Sequence, residues 1–96
     1  MSYDNVPARR ASELASRGFE IVDVRDRSEY RRGHLPDARN VPVDELPRRL
    51  HEFSRSNRVA VICQTGGRSA QAASLLSRYG VPTVVNLAGG MEQLAS

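Results

Sequence analysis

The sequence predicts a small α/β domain built on a mostly parallel sheet, and three observations carry the prediction. Runs rich in β-branched residues at 19–24, 58–63 and 83–87 are separated by segments of helical periodicity. The run at 58–63, Arg-Val-Ala-Val-Ile-Cys, lacks apolar–polar alternation, the pattern of a central parallel strand covered by helices on both faces. The chain has 96 residues, 40% of them hydrophobic and 26% charged, which suits one folded domain spanning 1–96. A chain of this length buries only about 60–70% of its unfolded surface, so its core must be small.

Taken in order, 6–18 reads as a helix, with Pro7 near its first turn and Gly18 just past its end. A strand follows over 19–24. Asp26-Arg27-Ser28-Glu29 matches a capping box that opens a short helix ending at Arg31 or Arg32. Residues 33–38, which contain Gly33 and Pro36, form a turn, and 40–42 an extended exit from it. Asp44 is placed to cap a helix presenting Leu46, Leu50 and Phe53 on one side. After the strand at 58–63, residues 64–67 break the pattern. Residues 68–79 then read as a helix with Ala72, Leu75, Leu76 and Tyr79 inward and Gly80 as terminator. A strand at 83–87, a turn at 88–90 and at most one helical turn from Met91 complete the chain.

Composition removes several functional classes. No apolar run approaches the roughly 18–20 residues of a membrane helix, and the first residues lack the basic and apolar regions of a signal peptide. The single cysteine, Cys63, excludes an internal disulfide and a cysteine-rich zinc site, so a reducing, cytoplasmic location is expected. All 14 basic residues are arginines, interleaved with acids, and only three Tyr and two Phe are present. A nucleic-acid face would need clustered charge with aromatic stacking partners, so neither nucleic acid nor membrane is an expected partner. No Ser-His-Asp order, paired-carboxylate spacing or phosphate-binding Walker loop occurs.

The chemistry concentrates in Cys63-Gln64-Thr65-Gly66-Gly67-Arg68-Ser69, a strand end, a glycine-rich turn and a helix start. Ligands of α/β sheets gather at the C-terminal ends of such strands. The turn can aim successive backbone N–H groups into one concavity, with Gly66 and Gly67 allowing the positive φ and close approach that this demands. Arg68 and the positive end of the following helix add to the field. Together they should lower the thiol pKa from its free value of about 8.5 and make Cys63 a nucleophile. The plainer alternative is a buried cysteine acting as a small hydrophobe.

With these residues in view, the chain resembles the single-domain rhodaneses, the thiosulfate sulfurtransferase-like domains. Asp23-Val24-Arg25, Glu29-Tyr30, Gly33-His34-Leu35-Pro36, Ala38 and Asn40-Val41-Pro42 are similar to the family's N-terminal signature. The loop from Cys63 to Ser69 resembles its active-site loop, and Leu87-Ala88-Gly89-Gly90-Met91 its C-terminal signature. Leu94 stands where the family often carries a tryptophan.

The resemblance implies a five-stranded parallel sheet flanked by helices on both faces, and a ping-pong sulfur transfer. Cys63 would take the outer sulfur of a donor such as thiosulfate as a persulfide and pass it to cyanide or a cellular thiol. Gln64, Thr65, Gly66, Gly67, Arg68 and Ser69 would bind the substrate anion. No metal or organic cofactor is implied. Asp23 would support the active-site region, with Arg25 beside it. Arg25 and Glu29, four apart across a helix start, suit an ion pair, while His34 reads as structural and His51 as exposed. Two alternatives stay open on the same fold. One is a non-catalytic interaction or regulatory module, although such modules often lose the cysteine that this chain keeps. The other is a cysteine phosphatase or arsenate reductase, whose Cys-x5-Arg loop is one residue longer than the Cys63–Arg68 loop here.

Overall fold

The computed structural model describes residues 2–94. Five strands, β1 (Asp4–Pro7), β2 (Glu20–Asp23), β3 (Arg39–Asn40), β4 (Arg58–Ile62) and β5 (Thr83–Ala88), form one sheet in the order β1-β5-β4-β2-β3. Every neighbouring pair is parallel, with Val22 opposite Val61, Ala60 opposite Val85 and Val6 opposite Leu87. The helices are α1 (Ala11–Ser16), α2 (Arg27–Arg31), α3 (Leu46–Arg49), α4 (Gly67–Tyr79) and α5 (Gly90–Leu94). None of the described helices is long and apolar enough to cross a membrane.

Strand β4 is apolar on both sides because each face meets its own layer. Val59, Val61 and Cys63 join Leu46, Phe53, Ala72 and Leu76 in one cluster, while Ala60 and Ile62 join Ala8, Leu14, Val85 and Leu87 in the other. That accounts for the missing alternation. The chain leaves β2 toward the edge strand β3 and returns to the other side of β2 as β4, so the winding direction reverses between β2 and β4. The carboxyl ends at such a reversal leave a crevice where ligands bind. Asp23 ends β2 and Cys63 follows β4.

Three expectations are corrected. The first helix does not start at Val6, because residues 4–7 are edge strand β1. A residue before proline is pushed toward extended backbone, and Pro7 itself has φ −55° and ψ 139°. A 3-10 turn, Ala8–Arg10, then leads into α1. Asp44 does not cap the third helix. Glu45 precedes α3, Pro47 fits the first turn, and the Glu45 carboxylate is drawn to Arg27 and Arg49 instead of to backbone N–H groups. Tyr79 is not inward but 43% exposed, and Leu75 is only partly buried. Helix α4 turns Ser69, Ala72, Ala73, Leu76 and Ser77 to the core, since both serine hydroxyls find partners there, Ser77 on the Ser2 carbonyl at 2.8 Å. The capping box at α2 forms as expected, with Asp26 Oδ1 accepting from the Glu29 N–H at 2.8 Å.

Candidate active site

Cys63 sits where β4 meets the turn before α4, and the backbone there folds around its sulfur. Gly66 adopts φ +112°, a left-handed conformation that turns its N–H onto Cys63 Sγ at 3.0 Å. Gly67 departs from expectation: it is the first residue of α4, its φ is not positive, and a side chain there would meet open space. The second constraint comes from behind the loop. The first N–H groups of α5 hold its carbonyls, Met91 N donating to Cys63 O at 2.8 Å and Glu92 N to Gln64 O at 2.9 Å. Gly90 makes that approach possible, because a Cβ there would lie 2.3 Å from Cys63 O and 2.6 Å from Gln64 O. With its carbonyls drawn outward, the loop's N–H groups are left to face the sulfur.

Burial works against ionising Cys63 and pushes its thiol up. Hydrogen bonds from the Ser69 hydroxyl and from the N–H groups of Ser69, Gly66 and Thr65 outweigh it, so the pKa lies below the ordinary thiol value. Ser69 Oγ, 3.3 Å from the sulfur, is itself positioned by Asn86 Oδ1 at 2.5 Å, and Asn86 Nδ2 donates to Asn5 Oδ1 at 2.9 Å. The hydroxyl carries one hydrogen. With the sulfur protonated, S–H donates to Ser69 Oγ and the hydroxyl donates to Asn86; with the sulfur ionised, the hydroxyl can turn its hydrogen to the anion. Asn86 was not singled out by sequence reasoning, and its only signal is a polar residue inside the apolar run of β5.

Ser69→Ala is therefore expected to raise the Cys63 pKa. Alkylation by iodoacetamide should slow roughly two- to tenfold at neutral pH, the worth of one hydrogen bond, and its pH midpoint should move upward. Well above both pKa values the two proteins should react alike. An unchanged rate–pH curve would show that Ser69 does not hold the anion.

The expected Arg25–Glu29 ion pair does not form. Buried Arg25 instead grips Asp23, with Nε 3.0 Å from Oδ1 and an Nη atom 2.7 Å from Oδ2, and also donates to the Gly33 carbonyl at 2.7 Å. Glu29 goes to Arg68, whose guanidinium holds its carboxylate at 2.7 and 3.0 Å. That bond holds the Glu29 carboxyl below the usual carboxylate range. Planar guanidinium forks suit such two-point pairing and lysine does not. Arg25→Lys should thus cost about 1.5–3 kcal/mol of stability, measured as a lowered urea midpoint; an unchanged midpoint would mean the fork geometry is dispensable.

Arg25, Glu29, Arg32, Gly33 and Gln64 line a cavity of about 280 Å³ beside the loop. A larger groove of about 560 Å³ between Pro47, Leu75 and Arg78 is not lined by Cys63 or any residue of its loop, so its size does not make it the candidate site. Gln64 is half-buried and Thr65 exposed. His34 stacks on Tyr30 with ring centroids 3.7 Å apart and bonds the Tyr30 carbonyl through Nδ1 at 2.9 Å, a structural role; His51 is exposed. Among the described residues no three His, Cys, Asp or Glu side chains cluster as a metal site.

A family model for the rhodanese-like domain matches residues 7–96. A sulfurtransferase of Allochromatium vinosum is 37% identical over 74% of this chain and 66% of its own length. The thiosulfate sulfurtransferase GlpE of Pseudomonas syringae pv. syringae is 28% identical over 94% of this chain and 85% of its own. Among solved structures, the human single-domain sulfurtransferase TSTD1 superposes with a TM-score of 0.76 at 27% identity, covering 99% of this chain and 96% of that one. The chain spans 40% of the length of YrkF and 61% of YqhL, two further curated relatives from Bacillus subtilis (strain 168).

Proposed function

The chain belongs to the rhodanese-like domain family, and from that premise we propose that it moves a sulfane sulfur through a persulfide on Cys63. The donor is a small molecule such as thiosulfate, and the acceptor is cyanide or a cellular thiol. The observation that carries this reading is the convergence on the Cys63 sulfur of the Gly66 N–H at 3.0 Å and the Ser69 hydroxyl at 3.3 Å.

In the first half-reaction the Cys63 thiolate attacks the outer sulfur of thiosulfate. A new S–S bond forms, the bond to the inner sulfur breaks, and sulfite departs with its electron pair. In the second, cyanide or a thiolate attacks the outer sulfur of the persulfide, and Cys63 leaves as a thiolate. The terminal sulfur carries negative charge between the two steps. The Gly66 N–H and the Ser69 hydroxyl, already at the Cys63 Sγ, stabilise the thiolate that attacks in the first step and departs in the second, without reorganisation. Neither step calls on a metal or an organic cofactor, because the protein's own sulfur carries the transferred atom. Such chemistry suits a reducing compartment, where the lone cysteine stays free.

The test is intact-mass analysis after incubation with thiosulfate. A gain of one sulfur atom, mapped to Cys63 and removed by cyanide as thiocyanate, is the expected result. A protein that stays unmodified with thiosulfate and with organic persulfides would instead support the non-catalytic interaction module.

A further inference from the structure

We infer that Arg32 binds the charged end of the sulfur donor, and that it selects donors whose departing group is a compact oxyanion of high charge. The inference rests on the sulfur-transfer reading above. In that reading an anionic thiolate must approach an anionic donor, so a cation at the mouth is needed to offset the repulsion.

Three guanidinium groups stand at or beside the cavity mouth, and two are already matched. Arg68, in the first turn of α4, holds the Glu29 carboxylate through two nitrogens at 2.7 and 3.0 Å. Arg25 is buried against Asp23, and its remaining reach goes to the Gly33 carbonyl. Arg32 differs from both. It follows the last turn of α2, its side chain is exposed, and it lines the cavity together with Gln64, the residue next to Cys63. Among the described residues no carboxylate lies within ion-pair distance of it. The nearby acids have other partners: Glu29 is held by Arg68, and Asp26 accepts from the Ser28 hydroxyl and the Glu29 N–H, both at 2.8 Å. The planar fork of Arg32 is thus available to two oxygens of a sulfonate-like group, and Gln64 contributes an uncharged amide to the same cavity. Arg31, the preceding residue, is also exposed but does not line the cavity, which makes it the matched control.

The experiment compares wild type, Arg32→Ala, Arg32→Lys and Arg31→Ala at constant ionic strength, with dianionic thiosulfate and monoanionic methanethiosulfonate as donors. Arg32→Ala should raise KM for thiosulfate roughly ten- to a hundredfold with kcat little changed, as expected for a lost charge-assisted contact that is made in both ground and transition states. The rise should be smaller for methanethiosulfonate, partly reversed in Arg32→Lys, and absent in Arg31→Ala. Equal KM values for wild type and Arg32→Ala, or an equal rise in Arg31→Ala, would overturn the assignment. Calorimetric titration of thiosulfate into Cys63→Ala and Cys63→Ala/Arg32→Ala proteins supplies a readout free of turnover. Weaker binding in the double variant supports the role of Arg32 even where wild type forms no persulfide, which would sink the sulfur-transfer reading alone. Unchanged binding removes Arg32 from donor recognition.

Discussion

Cys63→Ser is expected to abolish sulfur transfer, with turnover falling by more than about a thousandfold while the fold persists. Serine keeps the shape of the side chain, and its oxygen can still accept from Gly66 N–H, so the core cluster around Val61 and Leu76 loses little. The chemistry has no substitute. An alcohol is scarcely ionised at neutral pH and cannot hold the sulfur as a persulfide, and Cys63 is the only cysteine in the chain. Thiocyanate formation from thiosulfate and cyanide measures the loss, and an unchanged urea midpoint together with native circular dichroism excludes unfolding as its cause. Retained turnover in the purified variant would remove Cys63 from the mechanism and leave the family relationship without its persulfide step.

Gly90→Ala is expected to be the most damaging substitution that changes no reacting atom. The added Cβ would sit 2.3 Å from Cys63 O and 2.6 Å from Gln64 O, where the obstructing atoms are backbone. Relief requires α5 to retreat, which breaks the 2.8 Å bond from Met91 N and the 2.9 Å bond from Glu92 N. The backbone adds a second cost, because φ is +60° and a side chain there carries about 1–3 kcal/mol of strain. Once released, the loop's N–H groups no longer converge on the sulfur. A displacement of about 1 Å in such a site lowers rates about a hundredfold, and a loss of at least that size is expected in kcat/KM. Slower iodoacetamide alkylation of Cys63 at neutral pH should accompany it. Gly67→Ala is the internal control, since its backbone is helical and a Cβ would meet nothing within 4 Å. It should retain near-wild-type activity and gain about 0.4–1 kcal/mol of stability. Equal activity in the two variants would show that the α5 contact does not shape the loop.

What could be read directly from the chain is what short segments decide for themselves. Asp26 and Glu29 close a capping box over four residues, and Gly80 ends α4 with φ +118°. The unbroken apolar run of β4 implies two covered faces and therefore places Cys63 at the end of a central strand. The position of Cys63 and the glycine that turns the loop, Gly66, are legible for the same local reason.

The rest depends on partners distant in sequence, for which periodicity has no signal. Residues 4–7 are a strand because β5 offers them an edge, with Val6 beside Leu87. Arg68 reaches Glu29 across 39 positions, and Arg25 turns to Asp23 because both lie buried at one strand end while Glu29 is already taken. Asn86 reads as a flaw in an apolar strand until Ser69 is seen 2.5 Å away. Gly90 reads as a turn glycine until its neighbours prove to be the Cys63 and Gln64 carbonyls. The sequence alone determined where the single thiol lies, at the end of a strand covered on both faces, through local backbone preference and strand burial. Only the tertiary structure decided which charges are cancelled, which cation remains at the cavity and what holds the loop in shape, because electrostatic pairing and steric contact depend on distance in space rather than along the chain.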